Sequence, residues 1–225
     1  MQPLPVTDRT RITRRAERQA TDRQALYDVL DAGLVAHIGL VRDGLPVVLP
    51  VGYARSGDYL LLHGSTGGGL LRAATDGAPL AVTVTLLDGL VYARSLFDSS
   101  MNYRSAMICG SAMPLHGQDK IEGLRQLSEH LMPGRWAEVR PPTTRELAAT
   151  LVLRLPLDEA SVKIRASGAT TDPQDGEARD VWAGVLPLTV CAGAPAASQD
   201  TPGHINPPAS VHTARQRHSV GLESP

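Results

Sequence analysis

The chain has 225 residues, 42% of them hydrophobic, with 22 Lys and Arg against 23 Asp and Glu and a formal net charge of −1. That length supports one sizeable core with appendages, and a near-neutral balance without a Lys/Arg cluster excludes the electrostatic footprint of a nucleic-acid binder. No run approaches the ~18 consecutive apolar residues of a membrane span, and the polar, arginine-rich N-terminus has no apolar signal region. The two cysteines, Cys109 and Cys191, match no zinc or redox spacing, and the seven histidines form no paired ligand motif. Reduced thiols in a cytoplasmic protein, without a metal site, are the expectation.

Residues 1–20 lack periodicity and read as an N-terminal arm carrying five arginines. Thr21-Asp22-Arg23-Gln24 has the form of a capping box, and Leu26, Val29 and Leu30 follow at helical spacing, so a first helix is expected up to Gly33. Leu34 to Val41 and Leu45 to Ala54 read as strands joined by the Arg42-Asp43-Gly44 turn. Pro46 and Pro50 place the second of these at an edge or a bulge. A strand over Asp58 to His63 then runs into the glycine-rich turn Gly64-Ser65-Thr66-Gly67-Gly68-Gly69 and a short helix over Leu70 to Thr75. That layout aims backbone N–H groups at an anion, although neither standard nucleotide fingerprint is present.

Leu80 to Leu87 alternates cleanly, and Asp88-Gly89 reads as a hairpin turn into Leu90 to Ser95. Tyr103 to Leu115 resumes a strand with a bulge at Gly110. Asp119 to Leu131 is an amphipathic helix capped by Asp119 and Glu122, closed by Pro133-Gly134. Thr143-x-x-Glu146 opens another helix, Thr150 to Leu155 and Ala160 to Arg165 are strands, and Ala166 to Asp180 is a polar loop. Val181 to Leu188 is a last apolar segment. Residues 192–225, rich in Pro, Ala, Ser and His, form a low-complexity tail, disordered or draped on a surface. The fold class expected is mainly β with peripheral helices (α+β), a six- to eight-stranded antiparallel split barrel over residues 21–191.

Three motifs in order, Pro46-Val47-Val48-Leu49-Pro50-Val51-Gly52-Tyr53, Leu62-His63-Gly64-Ser65-Thr66-Gly67 and Tyr103-Arg104-Ser105-Ala106-Met107-Ile108-Cys109-Gly110, resemble the pyridoxamine 5'-phosphate oxidase-like, FMN-binding split-barrel family. Its nitroimidazole-reductase-like branch is the most similar. The resemblance implies a homodimer with FMN in a groove between subunits. Val48, Leu49, Pro50 and Val51 would then lie along the isoalloxazine ring. His63, Ser65 and Thr66 would face the ribityl-phosphate, with the N–H groups of Gly67, Gly68 and Gly69 adding a helix-terminus contribution, Arg104 and Ser105 would offer polar contacts from a following strand, and Trp182 would approach from the C-terminal part. Where many relatives carry Arg-Lys after the first loop glycine, this chain has Gly68 and Gly69. Arg72, one turn further on, is the nearest replacement for that charge, since a phosphate needs paired charge or dense donors.

The function expected is that of a flavoprotein passing hydride or electrons from a reduced nicotinamide to a small organic acceptor, with the flavin carrying the chemistry. The alternative is a carrier, sensor or regulator that binds flavin, a deazaflavin or haem without turnover. A ligand-free dimeric scaffold is a third reading, motivated by the missing Arg-Lys pair.

Overall fold

The computed structural model describes residues 3–170 and 180–219. Two short pieces open the chain, a 3-10 turn Ala16–Arg18 and strand β1 (Gln19–Ala20). Helix α1 (Arg23–Ala32) follows, then β2 (Val35–Arg42), β3 (Leu45–Ser56), β4 (Tyr59–Ser65) and α2 (Gly69–Thr75). The middle of the chain supplies β5 (Leu80–Tyr92), β6 (Ser100–Gly110), β7 (Met113–Pro114), α3 (Gly117–Leu131), α4 (Arg135–Glu138) and α5 (Thr144–Ala149). Strands β8 (Thr150–Pro156), β9 (Ala160–Arg165) and β10 (Gly184–Pro187) and helix α6 (Ala209–Arg217) complete it. Of the expected polar loop, 171–179 lies outside the described residues.

The described pairings are antiparallel in the order β1-β9-β6-β5-β2-β3-β4-β8-β7, with β10 on β5. The sheet does not close on itself, and the result is the mainly β split barrel that was expected. Seven strands of six residues or more carry it, and three short ones extend its edges. Leu26, Val29 and Leu30 of α1 are fully buried against Ile38, Leu60, Leu62, Val82, Ile108, Leu155 and Val162, so α1 plugs the barrel. A smaller cluster of Ala54, Leu61, Leu127 and Val152 lies under α3.

Strand β3 makes the split. Leu45 to Gly52 pair with β2, whereas Tyr53 to Ser56 pair with β4. Pro46 and Pro50 have no N–H to give, so the ladder to β2 falls on the alternate residues, and the N–H and C=O of Val48 turn to the open edge. The turn before β3 has Asp43 at φ 52 and Gly44 at φ 77, the positive pair that a two-residue hairpin with matching twist requires.

Local signals were misread in four places. The first helix is capped by Asp22, whose side chain accepts from the Gln24 N–H at 3.0 Å, rather than by Thr21. Asp88-Gly89 is not a hairpin: β5 runs straight through it, with a register shift between Leu87 and Gly89. A glycine is needed there because a Cβ would come within 2.9 Å of the Leu186 carbonyl oxygen on β10. Gly110 ends β6 instead of bulging it. Helix α3 begins at Gly117 after His116, which gives no side-chain cap, and not at Asp119. The Thr143/Glu146 capping box is present as read.

The C-terminal end of α1 gathers side chains from three distant elements. Its last carbonyls have no partner inside the helix. Gly33 N–H donates to Val29 O at 3.1 Å, Tyr53 Oη to Leu30 O at 2.6 Å, and Arg217 Nη2 to Asp31 O at 2.6 Å. His130 Nε2 lies 2.7 Å from Gly33 O, and since a carbonyl only accepts, that nitrogen carries the proton. Arg217 also donates to His130 O at 2.7 Å, so α6 is tied to α1 and α3 together. Arg55 forks onto Asp31 at 2.6 and 2.8 Å and lies over the Tyr27 ring.

Two predictions follow from this junction. Tyr53→Phe keeps the ring and strands the buried Leu30 carbonyl, so urea denaturation should show a loss of about 1–3 kcal/mol. An unchanged midpoint would mean that the carbonyl finds another donor. Burial first, and Arg217 and Arg55 after it, hold His130 below its ordinary value, against opposing pulls from the Gly33 carbonyl and Asp31. The unfolded chain therefore binds the extra proton first as pH falls beneath about 6.5. The stabilising contribution is complete above that pH and is lost as pH falls through the window below it. His130→Gln, which retains an N–H donor for Gly33, should flatten the slope of stability against pH between roughly 5 and 7.

Candidate functional site

The split opens where β3 and β4 part. Their pairing ends at Tyr53 opposite Leu62; beyond it β4 continues to Ser65 on β8, while β3 follows β2. Gly52 and His63 sit at this fork, with a Cβ on Gly52 reaching 3.7 Å from His63 Cε1 and 3.1 Å from Leu131 Cδ1. His63 Nδ1 is buried without a hydrogen-bond partner among the described residues. On one side of the fork runs the apolar edge of β3, where Val48 and Leu49 remain 61% and 45% exposed. Exposed aliphatic side chains beside unpaired backbone groups on one strand edge suit a flat ligand with a polar rim.

On the other side is the glycine-rich turn. Ser65 Oγ accepts from Gly67 N–H at 3.2 Å, Gly68 N–H donates to Ser65 O at 2.9 Å, and Thr66 Oγ1 donates to Ala149 O at 3.3 Å. Gly68 has an ordinary φ of −77, but a Cβ there would lie 3.1 Å from the Ser65 carbonyl oxygen, so a side chain requires the turn to give. At Gly69 a Cβ would lie 2.8 Å from Arg42 Nη1, the far end of a flexible side chain that can swing aside. The guanidinium of Arg42, from the end of β2, occupies the space that a side chain at 69 would take. Arg72 lies with Thr66, Thr75 and Leu151 around a hollow of about 430 Å3 on the flank of the turn. Two arginines thus bracket this turn, and sequence reading found only Arg72. Arg42 carries no local signal, because the contact spans two strands and a turn.

Val48 to Val51, His63, the turn Ser65 to Gly69 and Arg72 are therefore gathered around one fork. Arg104, Ser105 and Trp182 are not gathered there within a single chain. Ser105 pairs with Thr85 on β5, two strands short of β3, which at the usual spacing is ~14 Å across the sheet from the open edge. Its hydroxyl donates to Lys163 O at 3.3 Å. Arg104 forks onto Asp88 at 2.7 and 3.0 Å, which keeps its guanidinium charged and occupied. Trp182 is 65% exposed and packs on Tyr92 beside β10. Leu96 and Phe97, in the loop after β5, are each 93% exposed near this second group.

The family model of pyridoxamine 5'-phosphate oxidase matches residues 22–164, and the chain belongs to that family. It is 44% identical to the FAD and heme binding protein from Mycobacterium smegmatis, covering 88% of this chain and 97% of that one at a TM-score of 0.85. It is 34% identical to the flavocytochrome Anf3 from Azotobacter vinelandii, covering 94% and 98% at a TM-score of 0.87. A candidate 5-nitroimidazole antibiotic resistance protein from Bacteroides thetaiotaomicron shares the fold at 20% identity and a TM-score of 0.56, over 65% of this chain and 86% of that one. Among curated proteins none matches. No described helix is long and apolar enough to cross a membrane.

Proposed function

We propose that this chain is a flavin-binding redox protein, working as a homodimer, that holds FAD at the β3/β4 fork and a haem as a second redox group. The observation that carries the flavin reading is the fork itself: an exposed apolar strand edge leading to a glycine-rich turn bracketed by Arg42 and Arg72. An amphipathic, planar, phosphorylated molecule matches that sequence of surfaces. FMN was the expectation from sequence, and the charge supply favours FAD. A phosphate monoester carries close to two charges at one end, whereas each phosphate of a diphosphate diester carries one. Two separated arginines and backbone donors suit the spread-out charge better.

The haem reading rests on extent. The flavocytochrome matches 94% of this chain and the FAD and heme binding protein 88%, so the first match reaches into residues 192–225. Likeness over nearly the whole chain to two proteins named for haem supports the reading.

A bound flavin would supply hydride and single-electron transfer, and a haem single-electron transfer. The chain's own part is positional. Val48 offers backbone N–H and C=O to a polar ring edge, Val48 and Leu49 cover a ring face, and Arg42 and Arg72 hold phosphate. A second copy supported on Leu96 and Phe97 would bring Arg104, Ser105 and Trp182 of one subunit toward the fork of the other, joining the two groups of residues. Electrons would pass from a reduced nicotinamide or another low-potential donor to a small acceptor.

The absorption spectrum and released-cofactor mass of purified protein test the reading: flavin bands with the mass of FAD are expected, on a dimer by light scattering. Titration with FAD, FMN and riboflavin then tests the turn. Arg42→Ala combined with Arg72→Ala removes two charge-assisted contacts and should weaken FAD by at least ten- to a hundredfold at about 1.5–3 kcal/mol per contact, leaving riboflavin nearly unchanged. Equal losses for FAD and riboflavin would remove both arginines from the phosphate site.

A further inference from the structure

Arg165 closes β9 and is only 4% exposed. A guanidinium buried that far normally has a carboxylate beside it, because an uncompensated charge out of water is costly. Arg165 has none among the described residues. Its Nη1 donates to Asn102 Oδ1 at 2.5 Å and to Ser167 O at 3.3 Å, and its Nη2 to Gly168 O at 3.3 Å. Its Nε–H is buried without a partner among the described residues. Neutral oxygens thus orient the group without neutralising it.

The N-terminal arm adds charge of the same sign. Strand β1 runs beside β9 with Gln19 opposite Lys163, which brings the turn before it, Arg15 to Arg18, to the end of β9. Lys163 Nζ donates to Arg14 O at 3.2 Å and Arg18 N–H to Arg15 O at 3.0 Å, so the turn is held in place. Arg15 sits at φ 58, a left-handed conformation that a long L side chain adopts only at a cost. Burial first, then the charge of Arg18 and, after an opposing pull from Tyr103, that of Arg15 hold the Arg165 guanidinium below its ordinary value, so the three cations are close enough to act on one another. Glu17, the acid within the turn, is exposed. Neither it nor Arg15, Arg18 or Lys163 enters an ion pair among the described residues.

Cations gathered at one strand end, one of them buried and none with a carboxylate, repel one another until an anion arrives. We propose that this corner is a second anion site, in which Arg15, Arg18, Lys163 and Arg165 seat the phosphate group of a dissociable small molecule between the arm and the end of β9. A phosphate monoester or a diphosphate brings close to two charges and several acceptor oxygens, against one charge for a carboxylate, and guanidinium forks match its geometry. Arg165 is set too deep for a membrane surface or a nucleic-acid duplex to reach. Within one chain the site stands apart from the fork, since β9 and β3 are four steps apart in the strand order, roughly 19 Å along the sheet at the usual spacing. The site is independent of what the fork binds.

The test is calorimetric titration of the full-length purified chain with inorganic pyrophosphate, against acetate at equal ionic strength, together with thermal denaturation at rising pyrophosphate. Wild type should bind pyrophosphate saturably and gain thermal stability with its concentration, as a ligand of the folded state requires, and acetate should do neither. Arg15→Ala combined with Arg18→Ala removes two side chains that make no hydrogen bond among the described residues, so the circular dichroism should be unchanged while pyrophosphate affinity falls roughly tenfold or more. Arg165→Met should abolish saturable binding. It also releases Asn102 and the Ser167 and Gly168 carbonyls, so the arm pair decides the matter if that variant unfolds. Arg42→Ala combined with Arg72→Ala should keep the binding. A wild-type chain without saturable binding would overturn the proposal, and so would an arm-pair variant of unchanged affinity. Binding lost with Arg42 and Arg72 but kept without Arg15 and Arg18 would place the anion at the glycine-rich turn instead. A flavin content that falls in the arm-pair variant would also overturn the proposal, because these cations would then serve the phosphates of the flavin.

Discussion

The four carbonyl oxygens at the end of α1 are the constraint on which the rest of the molecule depends. The helix that plugs the barrel ends half-buried, with the Leu30 carbonyl fully inside, and the orphan carbonyls of its last turn need donors. Here Gly33, Tyr53, His130 and Arg217 answer them one by one, from the helix end itself, β3, α3 and α6. Because each donor is fixed by a directional bond, the elements that carry them are fixed as well. Tyr53 marks the last residue before β3 leaves β4, and His130 lies one residue before the Leu131 that reaches into the fork. The same bonds that satisfy one helix therefore set the mouth of the candidate site and, through Arg217, the anchor of the tail. Gly33 shows how tight the junction is, since a Cβ there would meet both Tyr53 Oη and Val84 Cγ1 at 2.6 Å.

The second constraint is a shortage of donors. Two prolines four residues apart prevent the outer edge of β3 from acting as a full ladder, so the barrel cannot close across it. An exposed apolar edge is normally a hazard for aggregation. In this chain the edge is protected by the same prolines, and what it keeps is an isolated pair of backbone groups at Val48 within an aliphatic surface. That is a poor template for another strand and a good rim for a heteroaromatic ring.

Much of this was legible in the sequence wherever the cause is local. The alternation of β5, the Asp43-Gly44 turn and the Thr143/Glu146 capping box depend on residues within a few positions of one another, and they stand as read. Asp88-Gly89 went wrong for an instructive reason. The dipeptide that makes a hairpin when strands end also suits a bulge when a third strand arrives, and only the arrival of β10 distinguishes the two. The side chains that hold α1 were beyond reach for the same reason: Tyr53, His130 and Arg217 lie far apart along the chain, and nothing in their own neighbourhoods marks them as partners.

The glycine-rich turn shows most clearly how an absence in sequence can mislead. Read linearly, Gly68 and Gly69 are two missing cations. In three dimensions they differ: a Cβ at Gly68 would press on the Ser65 carbonyl oxygen at 3.1 Å, whereas one at Gly69 would meet only the movable guanidinium of Arg42. Charge at this turn has been moved from the loop to the end of a neighbouring strand, and the glycine is the space that the move requires. The two positions are therefore coupled. A larger residue at 69 displaces the Arg42 guanidinium that now fills that space. Relocation also changes what the site can recognise. A cation on a loop side chain travels with the turn, while Arg42 is rooted at the end of β2 and Arg72 on α2. Two cations rooted on different elements suit a ligand whose own charges are separated, which is the physical basis for proposing a diphosphate over a single phosphate at this site.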